Sequence, residues 1–161
     1  MIRTIPYIAV SLIALATLFC VLSISTNRWY DTSTIQAGLW KICRAGVGVP
    51  TLCYNSSTHT PTVLALSGLI LIFIGLILTI VSSLYNLEQV KQKRNISYTA
   101  IIVLFIGSII LDITYVSYSN IQRQFGYSYF LMVISHLFTF LAVILVAFST
   151  GSIHQLSEIN S

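Results

Sequence analysis

The chain has 161 residues, of which 56% are hydrophobic and 7% are charged, and its formal net charge is +4. A water-soluble domain usually carries about 25% charged residues and a disordered segment is poorer in apolar side chains, so both classes are excluded. The composition indicates a membrane protein whose first partner is the lipid bilayer. Its few basic residues form no stripe that would follow a phosphate backbone, so nucleic acid is not expected as a partner.

Four apolar runs are long enough to cross a bilayer as helices, because a hydrocarbon core of about 30 Å needs roughly 20 helical residues. Each run is continuously apolar, whereas a strand of a membrane barrel would alternate over about ten residues. The first run exceeds the apolar core of a typical signal peptide, about 7–15 residues, so a cleaved leader is the less favoured alternative. The sequence therefore predicts an all-α membrane protein that forms one domain over residues 1–161. Its four transmembrane helices cover residues 7–25, 63–84, 99–118 and 129–148.

Basic residues predict the orientation of these helices. If both termini are cytoplasmic, the two sides carry equal numbers of cations, but Lys91, Lys93 and Arg94 crowd one short loop while the others are diluted. A cluster of cations in a short loop is typical of the cytoplasmic side, so both termini are expected there. Binding of anionic lipid is a less favoured role for these three basic residues. The inner loop then covers residues 85–98, and the outer loops cover residues 26–62 and 119–128.

The first outer loop contains the two loop cysteines, Cys43 and Cys53, and an N-glycosylation acceptor at Asn55. All three suit the oxidising exterior of the cell, and we expect the protein in the plasma membrane. A Cys43–Cys53 disulfide would close a loop of about eleven residues and stabilise a small β-rich cap by roughly 2.5–3 kcal/mol. Free thiols are the alternative. His59 lies nearby, but three ligands without clustered spacing do not predict a zinc site.

The first outer loop also resembles a known family. Its motifs match the signature of the claudin superfamily, which includes the peripheral myelin and epithelial membrane proteins, and the four spans match that family over nearly the whole chain. The short stretch before the Gly-Leu-Trp run resembles the peripheral myelin and epithelial membrane branch. The motif residues are Trp29, Gly38-Leu39-Trp40, Cys43 and Cys53.

The resemblance implies a left-handed four-helix bundle with a small extracellular antiparallel β-sheet cap, in which a disulfide joins two strands. It further implies that Trp40 wedges the sheet onto the bundle while Trp29 lies near the membrane surface. An interfacial aromatic belt is the alternative for both tryptophans. In this family the short second outer loop carries aromatic contact residues, so Phe125 and Tyr127 are candidates for contact with a neighbouring molecule.

Asp112 is the only charged side chain within a predicted span, where a carboxylate costs roughly 2.5–3.5 kcal/mol on insertion scales. It shares a helical stripe with Ser108, Tyr115 and Ser119, and we expect this stripe to face other helices. His136 lies at a similar depth on the fourth span, about 9–11 Å from its outer end, so we predict an Asp112–His136 pair. A hydrogen bond that fixes helix register is the favoured interpretation, and a proton or cation relay is the alternative.

Gly68, Gly75 and Ser82 recur at seven-residue steps along the second span. Such a seam of small residues lets a neighbouring helix approach closely in a left-handed crossing. We interpret it as packing within the bundle, and a dimer face is the alternative.

The sequence lacks the residues of several enzyme classes. It has no Gly-x-Ser-x-Gly turn, no Cys-x-x-Cys pair and no second intramembrane aspartate, so neither an enzyme nor a cofactor is expected. The favoured function is adhesion or junction organisation, in which the outer loops contact like or related claudin-superfamily molecules in cis or in trans at cell–cell junctions. The alternative is an auxiliary subunit that alters the trafficking or gating of a larger channel or receptor.

Overall fold

Four long helices and one small sheet make up the described part of the chain. The computed structural model describes residues 4–46, 49–55, 59–84, 90–119 and 125–159. Each helix contains a stretch of 21 to 27 residues that is long and apolar enough to cross a membrane. The prediction of four long apolar helices is therefore confirmed, and the helices are compatible with a four-helix membrane protein. The helices are α1 (Ile5–Ser25), α2 (His59–Leu84), α3 (Val90–Ser119) and α4 (Tyr127–Ile159).

The helices extend beyond the predicted spans because hydrophobicity marks only the part of a helix that lies in the bilayer core. The largest extensions are at the start of α3, which begins at Val90 rather than near residue 99, and at the end of α4, which reaches Ile159 rather than residue 148. A second acceptor sequence for N-glycosylation, Asn95-Ile96-Ser97, lies inside α3. Pro6 occupies the first turn of α1. Backbone N–H groups in the first turn have no acceptor within the helix, so the missing N–H of proline costs no hydrogen bond there.

The helices form a ring in which each packs against two neighbours. α2 contacts α1 and α3, and α4 contacts α1 and α3, with the most extensive contacts between α2 and α3 and between α1 and α4. Most of the apolar core residues lie where these faces meet, whereas large apolar side chains such as Phe73 and Phe105 remain exposed on the outside. An apolar outer surface of this kind is what a bilayer requires.

The small-residue seam packs inside the bundle. A Cβ atom added to Gly68 would lie 2.7 Å from Cδ2 of Leu111, and one added to Gly75 would overlap Leu104. Leu104 and Leu111 are both fully buried on α3. The glycines of α2 therefore receive leucine side chains of α3, and the dimer-face alternative does not apply to these two glycines.

The loop between α1 and α2 forms a four-stranded antiparallel sheet with strand order β1-β2-β3-β4. It lies at the end of the bundle where α1 and α3 finish and α2 and α4 begin, as the hydrogen bonds between the sheet and these helix ends require. The prediction of a small antiparallel cap is thus confirmed. The strands are β1 (Tyr30–Asp31), β2 (Ile35–Ala37), β3 (Lys41–Gly46) and β4 (Val49–Asn55).

A disulfide joins the last two strands. Cys43 on β3 lies directly opposite Cys53 on β4, with a Cα–Cα distance of 4.1 Å, and the two sulfur atoms are bonded. The predicted pairing is confirmed and the free-thiol alternative is excluded. The cross-link holds the outermost strand of the sheet in register with its one neighbour.

Replacing Gly75 with Ala should destabilise the protein by about 1–3 kcal/mol, because the added methyl group overlaps the fully buried side chain of Leu104, which must shift. Thermal unfolding of the purified chain in detergent micelles measures this loss. Gly151→Ala is the matched control, since nothing lies within 4 Å of its added Cβ. Equal melting temperatures for the two variants would contradict the packing described for α2 and α3.

Candidate functional site at the cap

We use the name cap for the sheet together with residues 26–29 and 125–128, which join it to the helix ends. One indole, that of Trp29, anchors the cap to the bundle. Trp29 is fully buried, and its ring centroid lies 5.0 Å from that of Tyr118 on α3 and 6.2 Å from that of Tyr129 on α4. Its Nε1 donates a hydrogen bond of 2.9 Å to the carbonyl oxygen of Ser23 on α1. A single side chain therefore contacts three helices.

The backbone at Trp29 joins the two connecting segments of the cap. Its N–H donates to the carbonyl oxygen of Ala37 at 2.9 Å, and its own carbonyl accepts from the N–H of Gly126 at 2.8 Å. The neighbouring Arg28 carbonyl accepts from the N–H of Ser128 at 3.2 Å. The segment before β1 is thus hydrogen-bonded to β2 on one side and to the start of α4 on the other.

The Gly-Leu-Trp run closes the base of the cap. Gly38 lies so close to the chain at Asn27 that an added Cβ would be 2.7 Å from the Asn27 Cα atom, which only glycine avoids. Leu39 is buried, and its carbonyl oxygen accepts a hydrogen bond of 3.0 Å from the Thr62 hydroxyl at the start of α2. The motif therefore ties the sheet to the first and second helices.

The two tryptophans both donate a hydrogen bond to the end of α1 but differ in burial. Trp40 donates from Nε1 to the Ile24 carbonyl oxygen at 2.8 Å, but 45% of the residue is exposed. The buried wedge is Trp29, and Trp40 lies at the edge of the bundle as an interfacial aromatic residue would. The full burial of Trp29 was not expected from the resemblance, because burial depends on the path of the chain between the helix ends, which the motif does not contain.

One face of the sheet extends beyond the bundle. Ala37, Ile42 and Tyr54 lie opposite one another in adjacent strands and so share a face. The exposed fraction along this row rises from 5% at Ala37 to 46% at Tyr54. Leu52, two residues before Tyr54 on the same face, is 66% exposed. We call Ile42, Leu52 and Tyr54 the overhang, because the helices do not cover this apolar part of the sheet.

The overhang carries one positive charge. The Arg44 guanidinium lies 5.9 Å from the centre of the Tyr54 ring, within cation–π range. Leu52 and Tyr54 were not predicted from the sequence as exposed apolar residues. The alternation of side chains along β4 could have identified them. Successive residues of a strand point to opposite faces, so Leu52 and Tyr54, the two neighbours of Cys53, share the face opposite the disulfide.

The two aromatic residues predicted for the second outer loop differ in their surroundings. The Phe125 ring stacks on that of Tyr129 with 4.2 Å between centroids, whereas Tyr127 is half exposed. Since Gly126 is bonded to Trp29, this segment lies beside β1, at the edge of the sheet opposite β4. Residues 120–124 of the predicted loop lie outside the described residues.

Asn55, the predicted glycosylation acceptor, is exposed at the end of β4. Its acceptor motif continues into Ser56 and Ser57, which lie outside the described residues. Exposure at a strand end is compatible with the modification.

A polar cluster lies between α3 and α4 within the membrane-spanning part. Oδ1 of Asp112 is 3.7 Å from Nε2 of His136 and accepts a hydrogen bond from the Tyr115 hydroxyl. Nδ1 of His136 is 3.2 Å from both the hydroxyl and the carbonyl oxygen of Ser108. The structure thus brings the two residues of the predicted pair together and adds Ser108 and Tyr115 to them.

The cluster is open on one side. The Asp112 side chain is 46% exposed, whereas that of His136 is 15% exposed. Ser108 is buried against α4, but four residues advance a helix by about 40° more than a full turn, which moves Asp112 toward the outer surface. The Asp112 side chain therefore contacts α4 through His136 but is only partly enclosed by the bundle, which the stripe did not predict.

No protein-family model matches this chain, and no curated protein matches it. The geometry of the cap and of the polar cluster, together with the motif residues, is therefore the basis for proposals about function.

Replacing Trp29 with Ala should destabilise the fold by about 3–5 kcal/mol, since it empties a fully buried site and removes ring contacts with two helices. Trp40→Ala should cost less, because nearly half of that residue is already exposed. Thermal unfolding in detergent and delivery to the cell surface measure both variants. A larger loss for Trp40→Ala than for Trp29→Ala would contradict this assignment of roles.

Proposed function

We propose that this chain is a claudin-like plasma-membrane protein that acts in cell–cell adhesion or junction organisation through its cap. In this proposal the cap is extracellular and contacts like or related claudin-superfamily molecules, in cis or on an apposed membrane. The observation that carries the proposal is the overhang, an apolar surface on an ordered sheet that the protein's own helices leave uncovered.

The overhang suits a contact surface for two physical reasons. Leu52 and Tyr54 bring apolar area that is removed from water when a partner covers it, and contiguous exposed apolar surface is typical of protein interaction sites. The Cys43–Cys53 disulfide already holds the strand in place. A preorganised surface loses little conformational entropy when it binds, so more of the contact energy remains for association.

The disulfide also supports the proposed orientation. Disulfides persist in oxidising compartments, which favours an extracellular cap, and the exposed acceptor Asn55 fits the same side. The basic residues Lys93 and Arg94 near the start of α3 then lie at the cytoplasmic end, as the positive-inside rule expects. With the cap outside, both termini are cytoplasmic. The seven-residue spacing of Gly68 and Gly75 supports left-handed packing of the bundle.

Within the second loop, Tyr127 is the better candidate for an intermolecular contact. Phe125 stacks on Tyr129 and so braces the segment that meets Trp29, whereas half of Tyr127 is free for a partner. Tyr127 and the overhang lie at opposite edges of the sheet, so one molecule presents two separate contact patches. Two patches on different edges allow one molecule to contact two neighbours.

An auxiliary subunit of a larger membrane protein is the second candidate function. The half-exposed carboxylate of Asp112 favours it, because a polar side chain on the outside of a membrane helix bundle is costly in lipid and becomes favourable against a polar partner.

Adhesion through the cap predicts where the protein accumulates. A tagged copy is expressed in cells that lack it, and these are mixed with untagged parental cells and imaged. Enrichment is expected where two expressing cells touch, and not at contacts with parental cells. Uniform signal on every contact would contradict self-adhesion and favour the auxiliary-subunit function.

The overhang predicts which substitutions abolish the enrichment. The double variant Leu52→Ser with Tyr54→Ser should reduce it to the level at parental contacts, because it removes the exposed apolar area without changing the disulfide. Thr51→Ala is the matched control, since Thr51 is exposed on the same strand but points to the opposite face. Surface delivery is measured for both variants. Unchanged enrichment in the delivered double variant would exclude the overhang as the contact surface.

A further inference from the structure

We propose that the groove between α3 and α4 is a lateral binding site for one transmembrane helix of a different membrane protein, and that this helix carries a lysine or arginine at the depth of Asp112. This site lies within the membrane-spanning part of the chain and is separate from the cap. It does not depend on adhesion through the overhang.

The groove presents one carboxylate oxygen outward. Both contacts that the structure records for the Asp112 carboxylate, from the Tyr115 hydroxyl and from His136 Nε2, reach Oδ1. Among the described residues Oδ2 has no recorded partner, and nearly half of the side chain is exposed on the outer surface of the bundle. The internal contacts therefore orient the carboxylate and leave its second oxygen available to another molecule.

The surroundings of the carboxylate are apolar and equally uncovered. Ile109 and Ile113 on α3 and Phe140 on α4 are all exposed, and the Phe140 ring stacks near His136 with 6.5 Å between centroids. A transmembrane helix placed here would bury its apolar side chains against these residues along its length. Its polar group would meet Asp112, as interhelical polar contacts do in membranes.

The carboxylate of Asp112 determines which kind of side chain a partner helix must carry to contact it favourably. Within the described part of the chain, Arg28–Asp31 and Asp112–His136 are the ion pairs within 4.0 Å, and no lysine or arginine contacts Asp112. Ionisable groups inside a membrane usually pair with one another or with other polar groups, because lipid supplies no compensation. His136 carries a positive charge only when it is protonated, whereas a lysine or arginine on the partner supplies a permanent one. The N–H groups of that lysine or arginine also supply donors for Oδ2.

A second copy of this chain fits the groove less well. Its four predicted spans contain no lysine or arginine, and symmetric docking would bring two carboxylates together. A lipid headgroup is also a less suitable occupant, because headgroups lie at the membrane surface and Asp112 lies deeper. Asp112 lies seven residues before the end of α3 at Ser119, which places it about 10 Å below the helix end at 1.5 Å per residue.

The test uses the full-length chain, labelled with a fluorescent donor, in phosphatidylcholine vesicles. The probes are acceptor-labelled synthetic transmembrane peptides of leucine and alanine, one with a single lysine at the depth of Asp112 and one with leucine there. Energy transfer should show about five- to tenfold tighter association of the lysine peptide, the size typical of one interhelical polar contact. A third peptide, with its lysine two turns deeper, should bind no better than the leucine peptide.

Variants of the chain assign the effect to the carboxylate. Asp112→Asn should remove the advantage of the lysine peptide and Asp112→Glu should keep it. Asp31→Asn, which removes a carboxylate outside the spans, should leave the advantage unchanged. Circular dichroism and the intact disulfide verify that each variant is folded.

Three results would overturn the proposal. One is equal binding of the lysine and leucine peptides by the unmodified chain. Another is an advantage that persists in Asp112→Asn or with the deeper lysine, which would indicate general attraction of a cationic peptide. The third is transfer between two differently labelled copies of the chain that Asp112→Asn abolishes, which would make a second copy the occupant. The peptide series on the unmodified chain decides the matter even if Asp112→Asn fails to fold.

Discussion

The Trp29 indole lies where the ends of α1, α3 and α4 converge, and the placement of the whole cap depends on its burial. Its ring packs against tyrosines of α3 and α4, its Nε1 reaches α1, and its backbone holds β2 on one side and the start of α4 on the other. A small sheet has too little area to bury its own core, so it must use the helices as its second layer. Trp29 contributes to that contact, and it is the largest fully buried side chain among the described residues.

The positions of the anchors have a geometric consequence. Trp29 precedes β1, and the contacts of Leu39 and Trp40 with α2 and α1 lie between β2 and β3, so the helices hold the sheet on its β1–β2 side. The helices cover Ala37 on β2 but not Leu52 or Tyr54 on β4. A strand that projects in this way needs another constraint, and the Cys43–Cys53 disulfide provides it within the sheet. The apolar overhang therefore lies on the side of the sheet away from the anchors, and the cross-link holds that side in register.

The molecule leaves two surfaces uncovered that differ in chemistry and direction. The overhang is apolar, with one arginine beside it, and lies on the cap in the aqueous phase of the proposed arrangement. The α3–α4 groove is apolar with one carboxylate and lies among the membrane-spanning residues. Exposure of the apolar overhang to water is unfavourable, and so is exposure of the Asp112 carboxylate to lipid. In the proposed arrangement, contacts along the membrane and contacts between membranes use different residues of one small chain, so the two proposed functions do not compete for the same surface.

Patterns along the chain determined the four apolar helices, because a run of about 20 apolar residues in a membrane must satisfy its backbone hydrogen bonds internally. They also determined the small cap and the contact of Asp112 with His136, since residue spacing along a helix fixes depth and the two residues lie equally far from the same end.

The sequence could not assign burial to Trp29 rather than Trp40, nor predict that the Asp112 side chain is partly exposed. It also did not predict that β4 projects beyond the helices. Each of these depends on how the sheet and helices lie against one another, which is decided by contacts between residues far apart in the chain, such as Trp29 with Tyr118 and Tyr129. Periodicity along the sequence indicates which face of a helix or strand is apolar. Only the tertiary structure decides how much of that face another helix or strand covers.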